Sequence, residues 1–165
     1  MATGFENVAD RMASGSTSSE KPIVVGIYGI SGSGKSYLLK QLRQKLEEPR
    51  FLFYEGSEVI DSLTPGGLDA FKKLNDEEKN RWRQLAIDTI RQEAAETGRM
   101  AIVAGHFMFC SAGEEFGQPV YTKNDLETFT YILYLDASAQ LIAQCRLDNK
   151  ERDRPSLSTN HLHKW

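Results

Sequence analysis

The sequence has little of what marks secreted, membrane-spanning or nucleic-acid-binding proteins. Its two cysteines, Cys110 and Cys145, lack the spacing of a metal site, so we expect reduced thiols and a cytoplasmic protein. It has no apolar run of the roughly 20 residues that cross a bilayer, and we expect no contact with membranes. With 23 acidic and 20 basic residues, it also lacks the basic excess of a general nucleic-acid binder.

The beginning of the chain is poor in apolar residues and has no signal-peptide core. It includes a small, polar run, Ala13–Ser19, whose burial could not offset the entropy lost on ordering. We therefore predict a disordered tail over residues 1–21 and a single folded domain over residues 22–165. A targeting peptide is the alternative, although Glu6 and Asp10 are unfavourable in one.

Short apolar runs alternate with segments of helical periodicity in the rest of the chain. The runs predicted as strands are Pro22–Tyr28, Phe51–Tyr54, Met100–Ala104 and Tyr131–Leu135. Helices are predicted over Tyr37–Glu48, where Pro49 ends the helix, from Asn75 or Asp76 to Gly98, from Asn124, and after Asp136. A loop is predicted over Ser57–Ala70, because Pro65, Gly66 and Gly67 lie within it.

This alternation predicts an α/β fold with three layers, in which helices cover both faces of a mostly parallel sheet. Right-handed crossovers place all strand-to-helix connections at one edge of such a sheet. We expect these connections to converge there: Ser31–Lys35, Glu55–Glu58, Gly105–His106 and Asp136–Ser138. The sequence therefore predicts an active site at this edge.

A phosphate-binding motif follows the first predicted strand. Residues Gly29–Ser36 match G-x-x-x-x-G-K-[ST] at every fixed position. The glycines allow the backbone N–H groups to wrap an anion, and the next helix adds its positive end. Lys35 would reach the β- and γ-phosphates, and the Ser36 hydroxyl would bind Mg²⁺. We predict an ATP and magnesium site formed by Gly29, Ser31, Gly32, Ser33, Gly34, Lys35, Ser36 and Tyr37; a flexible turn is the alternative.

Three segments together resemble the small P-loop kinases. They are Gly29–Ser36, Leu74–Trp82, and Leu133–Asp136 followed by Arg146. Gluconate kinases are the most similar family, and shikimate and adenylate kinases are more distant. The resemblance extends from about Ile23 to Trp165. It implies transfer of the γ-phosphoryl group of ATP to a small-molecule or nucleotide acceptor.

The resemblance implies a role for an acid beyond the second strand. In these kinases such a residue faces the acceptor hydroxyl, and Glu55 has this place here, with Glu58 and Asp61 as substitutes. A carboxylate at this point could take the proton of the hydroxyl. The alternative is that these residues are ordinary exposed acids.

The resemblance also implies that Arg146, Arg152 and Arg154 belong to a lid. Arginines of that lid neutralise the transferring phosphoryl group, and the planar guanidinium suits two oxygens. Acidic residues are interleaved with these arginines, so a solvated helix is the alternative. Arg146 and Arg152 are stronger candidates than Arg154 for the arginines that contact the phosphoryl group.

Two features depart from the kinases. These enzymes often carry a metal-shell carboxylate after the third strand, where this chain has Ala104 and then His106. His106 would bind substrate or phosphate, or else pack as an ordinary loop histidine. The chain also stops at Trp165, where the resemblance implies a further strand and helix. Either the fold lacks them, or the sequence is part of a longer protein.

Two other functions remain as alternatives. Thr122–Asp125 matches the guanine-reading pattern of GTPases, although Gly117–Tyr121 before it is a poor strand. A nucleotide-binding domain without catalysis is the second alternative, and Ala104 favours it. We expect Ser57–Ala70 and Phe107–Thr128 to contact the acceptor.

Overall fold

The computed structural model describes residues 21–46, 48–109, 117–148 and 158–163. Almost all of the predicted tail, together with Cys110, Arg152 and Arg154, lies outside these ranges. The elements are β1 Val24–Tyr28, α1 Lys35–Lys45, β2 Phe51–Glu55, α2 Gly56–Leu63, α3 Gly67–Lys73, α4 Asp76–Thr97, β3 Met100–Ala104, β4 Met108–Phe109, β5 Gln118–Pro119, α5 Lys123–Thr128, β6 Tyr131–Tyr134, α6 Ala139–Asp148 and α7 Thr159–Leu162.

The central sheet is parallel, with the strand order β2-β3-β1-β6. Ala104, at the end of β3, lies beside Ile27 of β1 on one side and beside Glu55 of β2 on the other. Because the strands run in the same direction, their carboxyl ends share one edge of the sheet. The predicted convergence of the strand-to-helix connections is therefore confirmed.

Helices pack on both faces of the sheet, which confirms the three predicted layers. Successive strand side chains point to opposite faces. One face packs against α4, through Val24, Leu52, Ala101, Val103, Ile87, Ile90 and Ala94. The other packs against α1, through Ile27, Ile102, Ala104 and Leu39.

Helix α4 begins and ends where the sequence predicts. Asn75 Oδ1 accepts a hydrogen bond from Glu78 N at 2.9 Å, and Glu78 Oε2 accepts one from Asn75 N at 3.2 Å. At the other end Gly98 has φ 65°, a conformation that glycine adopts readily. The 22 residues of α4 span about 33 Å, whereas the five of β3 span about 17 Å. The first turns of α4 therefore extend beyond the carboxyl edge of the sheet.

Two predictions of secondary structure are wrong, one of an element type and one of a helix end. The segment Ser57–Ala70 is not a loop, because most of it forms α2 and α3, joined by a turn that contains Pro65 and Gly66. These helices have eight and seven residues, too few to show clear periodicity. Helix α1 ends at Lys45 rather than Glu48, since Leu46 has the extended conformation φ −97°, ψ 145°.

The edge strand β6 is exposed, although its apolar sequence predicts a strand covered on both faces. Tyr131, Ile132, Leu133 and Tyr134 are between 44% and 63% exposed. The described helices therefore cover neither face of this strand.

Cys145 on α6 is an exposed free thiol. Within the described ranges, no helix has the length and apolar composition needed to cross a bilayer.

Candidate active site

The turn between β1 and α1 has a backbone that only glycine fits well. Gly32 and Gly34 have φ values of 100° and 95°, in the left-handed region that side chains disfavour. A Cβ atom on Gly32 would also lie 2.7 Å from Arg146 Cγ. A Cβ atom on Gly29 would lie 2.9 Å from the carbonyl oxygen of Leu135. The glycines of the motif are thus explained by close approach and by backbone conformation.

The ammonium group of Lys35 is held against the start of this turn. Lys35 is only 7% exposed. Its Nζ donates hydrogen bonds to the carbonyl oxygens of Gly29 at 2.7 Å and Ile30 at 2.8 Å. A buried positive charge therefore lies at the loop that the sequence predicts for phosphates.

The start of α1 offers N–H donors that no side chain in the described ranges caps. Its N-cap residue, Gly34, has no side chain to accept a hydrogen bond, and the first turn contains no acid. Helix α4, by contrast, has a capping box and three acids in its first turn. In addition, Ser33 Oγ is buried and has no hydrogen-bond partner among the residues that the structure describes. An anion would satisfy both the N–H groups of α1 and this hydroxyl, so these residues fit a phosphate group.

The other predicted nucleotide residues lie on the same turn and helix start. Ser31 and Ser36 are half-buried. Tyr37, in the first turn of α1, is 69% exposed. The structure thus brings together the eight predicted residues around one loop.

Arg146 is brought to this loop by α6. Its Nη1 donates a hydrogen bond to the carbonyl oxygen of Ser31 at 3.0 Å. Burial lowers the pKa of Arg146, but an arginine remains charged at neutral pH. The helix is anchored by Ile142, which packs with Leu162 of α7 and Ile30 of the loop. Arg152, predicted for the same lid, lies outside the described residues.

Glu55 lies at the same edge of the sheet as the loop. It is the last residue of β2, is half-buried, and precedes α2 directly. Two strand spacings, about 10 Å, separate the backbones of β2 and β1. Glu58 is exposed in the first turn of α2. Asp61 joins α2 to the start of α3, because its Oδ1 accepts a hydrogen bond from Leu68 N at 2.6 Å.

Aromatic rings line the connection that follows β3. Tyr28 stacks on Phe107 with ring centres 4.0 Å apart. Burial, together with the nearby carboxylate of Asp125, raises the pKa of the Tyr28 phenol, so it stays neutral. His106 is half-buried and lies 4.6 Å from the ring of Phe109. His106 therefore lies at the predicted edge, beside the ring of Phe109.

The GTPase-like pattern has a structural role. Thr122 and Asp125 form a capping box at the start of α5. Asn124 Nδ2 donates a hydrogen bond to Asp88 Oδ2 at 2.7 Å, which joins α5 to α4. These contacts explain the pattern without a guanine base.

Comparison with known proteins places this loop in a family. A sequence model of the AAA domain matches residues 28–163. No curated protein matches the sequence significantly. Among solved structures, the protein APE1195 is similar with 20% identity and a TM-score of 0.49, over 80% of this chain and 69% of that one.

Two further solved structures are similar. One is a gluconokinase from Sinorhizobium meliloti 1021, with 16% identity and a TM-score of 0.49, over 87% of this chain and 73% of that one. The other is TT1252 from Thermus thermophilus, with 13% identity and a TM-score of 0.47, over 88% and 79% of the two chains. The AAA domain match covers most of the chain, and the loop geometry agrees with it. The chain therefore belongs to the AAA domain family of P-loop proteins.

Proposed function

We propose that the protein is an ATP-dependent phosphotransferase that moves the γ-phosphoryl group to a hydroxyl of a small molecule or nucleotide. The observation that carries this proposal is the shared edge of the sheet, which has the lysine-bearing loop after β1 and the Glu55 carboxylate after β2. Phosphoryl transfer needs an anion cradle and a group that accepts the acceptor's proton, and both types of group are present.

The loop and the start of α1 would hold the phosphates of ATP. Backbone N–H groups of this turn, the Ser33 hydroxyl and the Lys35 ammonium are the donors. Ser36 would bind Mg²⁺, which neutralises phosphate charge when bound. Ser36 would supply one oxygen ligand, and phosphate oxygens and water would complete the shell of the ion.

The transfer itself would proceed by attack of the acceptor oxygen on the γ-phosphorus. The bond between that phosphorus and the β,γ-bridging oxygen breaks, and ADP leaves with the electron pair. Glu55 accepts the hydroxyl proton, and Lys35 stabilises the charge on the phosphoryl oxygens. Arg146 is within reach of the same loop, and we propose that it and Arg152 share this task.

A nucleotide-binding domain without transfer is the second candidate. It is favoured by Ala104, which is buried and lies where the resemblance to P-loop kinases implies a carboxylate for the metal. Such a domain would bind ATP and magnesium with no turnover. We expect no preference for GTP over ATP in either case, because Thr122 and Asp125 of the guanine-like pattern form a helix cap.

An ADP-release assay with a panel of hydroxylated acceptors tests the proposal. Glu55→Gln should lower turnover about 10²- to 10⁴-fold, because the base is lost, and should leave ATP affinity unchanged. Glu58→Gln is the matched control, since Glu58 is exposed on α2. Equal turnover of Glu55→Gln and the unmodified protein would contradict the role of Glu55. ATP binding without turnover on any acceptor would favour the second candidate.

A further inference from the structure

An arginine continues the buried face of α4. Ile87, Ile90 and Ala94 on this helix pack against the sheet. Arg83 lies four residues before Ile87 and seven before Ile90, so it lies on the same face of the helix. This face is apolar where it covers the sheet and cationic one turn further on.

Arg83 lies beyond the carboxyl edge of the sheet, because the first turns of α4 extend past β3. Its guanidinium carbon is 5.5 Å from the ring centre of Phe71, a buried residue of α3. Asp125 is close enough to act on the pKa of both Arg83 and Tyr28. Tyr28 directly precedes Gly29 of the loop. Arg83 is therefore on the side of the molecule where the phosphate loop lies.

Among the described residues, no carboxylate forms an ion pair with Arg83. Burial lowers its pKa, and Asp76 and Asp125 act on it in the opposite direction. Neither carboxylate lies within 4 Å, and Arg83 forms no hydrogen bond or ion pair with the part of the chain that the structure describes. Two other arginines of the same helix are paired, Arg81 with Glu77 at 2.6 Å and Arg91 with Asp88 at 3.1 Å.

A half-buried guanidinium without a hydrogen-bond acceptor is unfavourable, since its donors have lost some of their water. The planar group can hold two oxygens of one carboxylate or phosphate. We propose that Arg83 binds an anionic group, a carboxylate or phosphomonoester, on the molecule that accepts the phosphoryl group. This rests on the proposed function and narrows the acceptor to negatively charged hydroxylated molecules, to the exclusion of neutral polyols.

Calorimetric titration of the full chain with three probes tests this site. The probes are D-gluconate as a carboxylate, glycerol 3-phosphate as a phosphomonoester and D-glucitol as a neutral polyol, each with excess non-hydrolysable ATP analogue and Mg²⁺. The variants are Arg83→Gln and Arg83→Lys. Arg81→Gln is the matched control, because Arg81 is exposed and already paired.

We expect at least one anionic probe to bind more tightly than D-glucitol. Arg83→Gln should weaken that binding about 10- to 100-fold, Arg83→Lys should weaken it less, and Arg81→Gln should leave it unchanged. The anion that responds identifies the class of acceptor. Should Arg83→Gln fail to fold, Arg83→Lys takes its place: weaker binding of the anion to Arg83→Lys than to Arg81→Gln supports the proposal, and equal binding to both overturns it.

Three results would overturn the proposal: no binding of either anion, equal affinities in the unmodified protein and Arg83→Gln, or an equal loss in Arg81→Gln. The proposed function fails separately, if the ATP analogue does not bind. Arg83-dependent binding of the anionic probe that responds would persist in that case.

Discussion

Replacing Gly32 by alanine should destabilise the protein through two separable effects. Gly32 has φ 100°, and an alanine in the left-handed region costs about 1–2 kcal/mol. The new Cβ atom would also lie 2.7 Å from Arg146 Cγ, and overpacking of this kind costs about 1–3 kcal/mol. We therefore expect Gly32→Ala to lower the free energy of unfolding by about 2–5 kcal/mol, the sum of these two costs.

Gly34 is the matched control. Its φ is 95°, but a Cβ atom there would meet no atom within 4 Å. Gly34→Ala should thus cost only the strain of about 1–2 kcal/mol. Urea denaturation of both variants measures the difference, which is the contribution of the contact with Arg146.

A double mutant isolates that contact. In the Arg146→Ala background, the side chain that the new Cβ atom would overlap is absent. The loss of unfolding free energy caused by Gly32→Ala should then fall to that caused by Gly34→Ala. Equal costs of the two glycine variants in the unmodified protein would refute this packing of α6 on the loop. So would a cost of Gly32→Ala that is unchanged when Arg146 is removed.

Two further predictions concern residues away from the loop. Asn124→Ala should lower the free energy of unfolding by about 1–2 kcal/mol, because the hydrogen bond from Asn124 to Asp88 is lost. The same variant should leave the preference between ATP and GTP unchanged in competition binding. An altered preference at unchanged stability would restore the GTPase interpretation. Tyr54 donates a hydrogen bond to Glu93 at 2.6 Å, and burial together with this bond raises its pKa. The hydrogen bond of Tyr54 therefore contributes fully to stability below the unfolded-state pKa of tyrosine, about 10, and contributes less as the pH rises above that value. The difference in unfolding free energy between the unmodified protein and Tyr54→Phe should shrink from pH 9 to pH 11, and a difference that grows would contradict this.

Local patterns predicted most of the fold. The strands appear where apolar runs indicate them, and α4 is bounded by its capping residues, Asn75 and Gly98. Helices α2 and α3 were not predicted, because seven or eight residues carry too little periodicity. The exposure of β6 also depends on which elements cover it, and an apolar run does not encode this.

The sequence predicted the part of the candidate active site that belongs to the phosphate-binding motif. The phosphate loop has fixed spacing, so Gly29–Ser36 could be assigned directly from the sequence. Asp61 could not be separated from Glu55 in this way, because its contact with Leu68 depends on helices α2 and α3, which were not predicted. Arg83 was missed as well. In the sequence, Arg83 has the helical spacing that places it on the same face of α4 as Ile87 and Ile90. That it lies beyond the edge of the sheet follows only from the lengths of α4 and β3 in the structure.

Binding of a non-hydrolysable ATP analogue with Mg²⁺, measured by calorimetry, tests the central claim most directly. Lys35→Ala should weaken this binding at least about 10-fold, because a charged donor to the phosphates is lost. Lys40→Ala, which removes an exposed lysine of the same helix, should bind as the unmodified protein does. Equal affinities of the two variants, or no binding to the unmodified protein, would contradict a phosphate site at Gly29–Ser36.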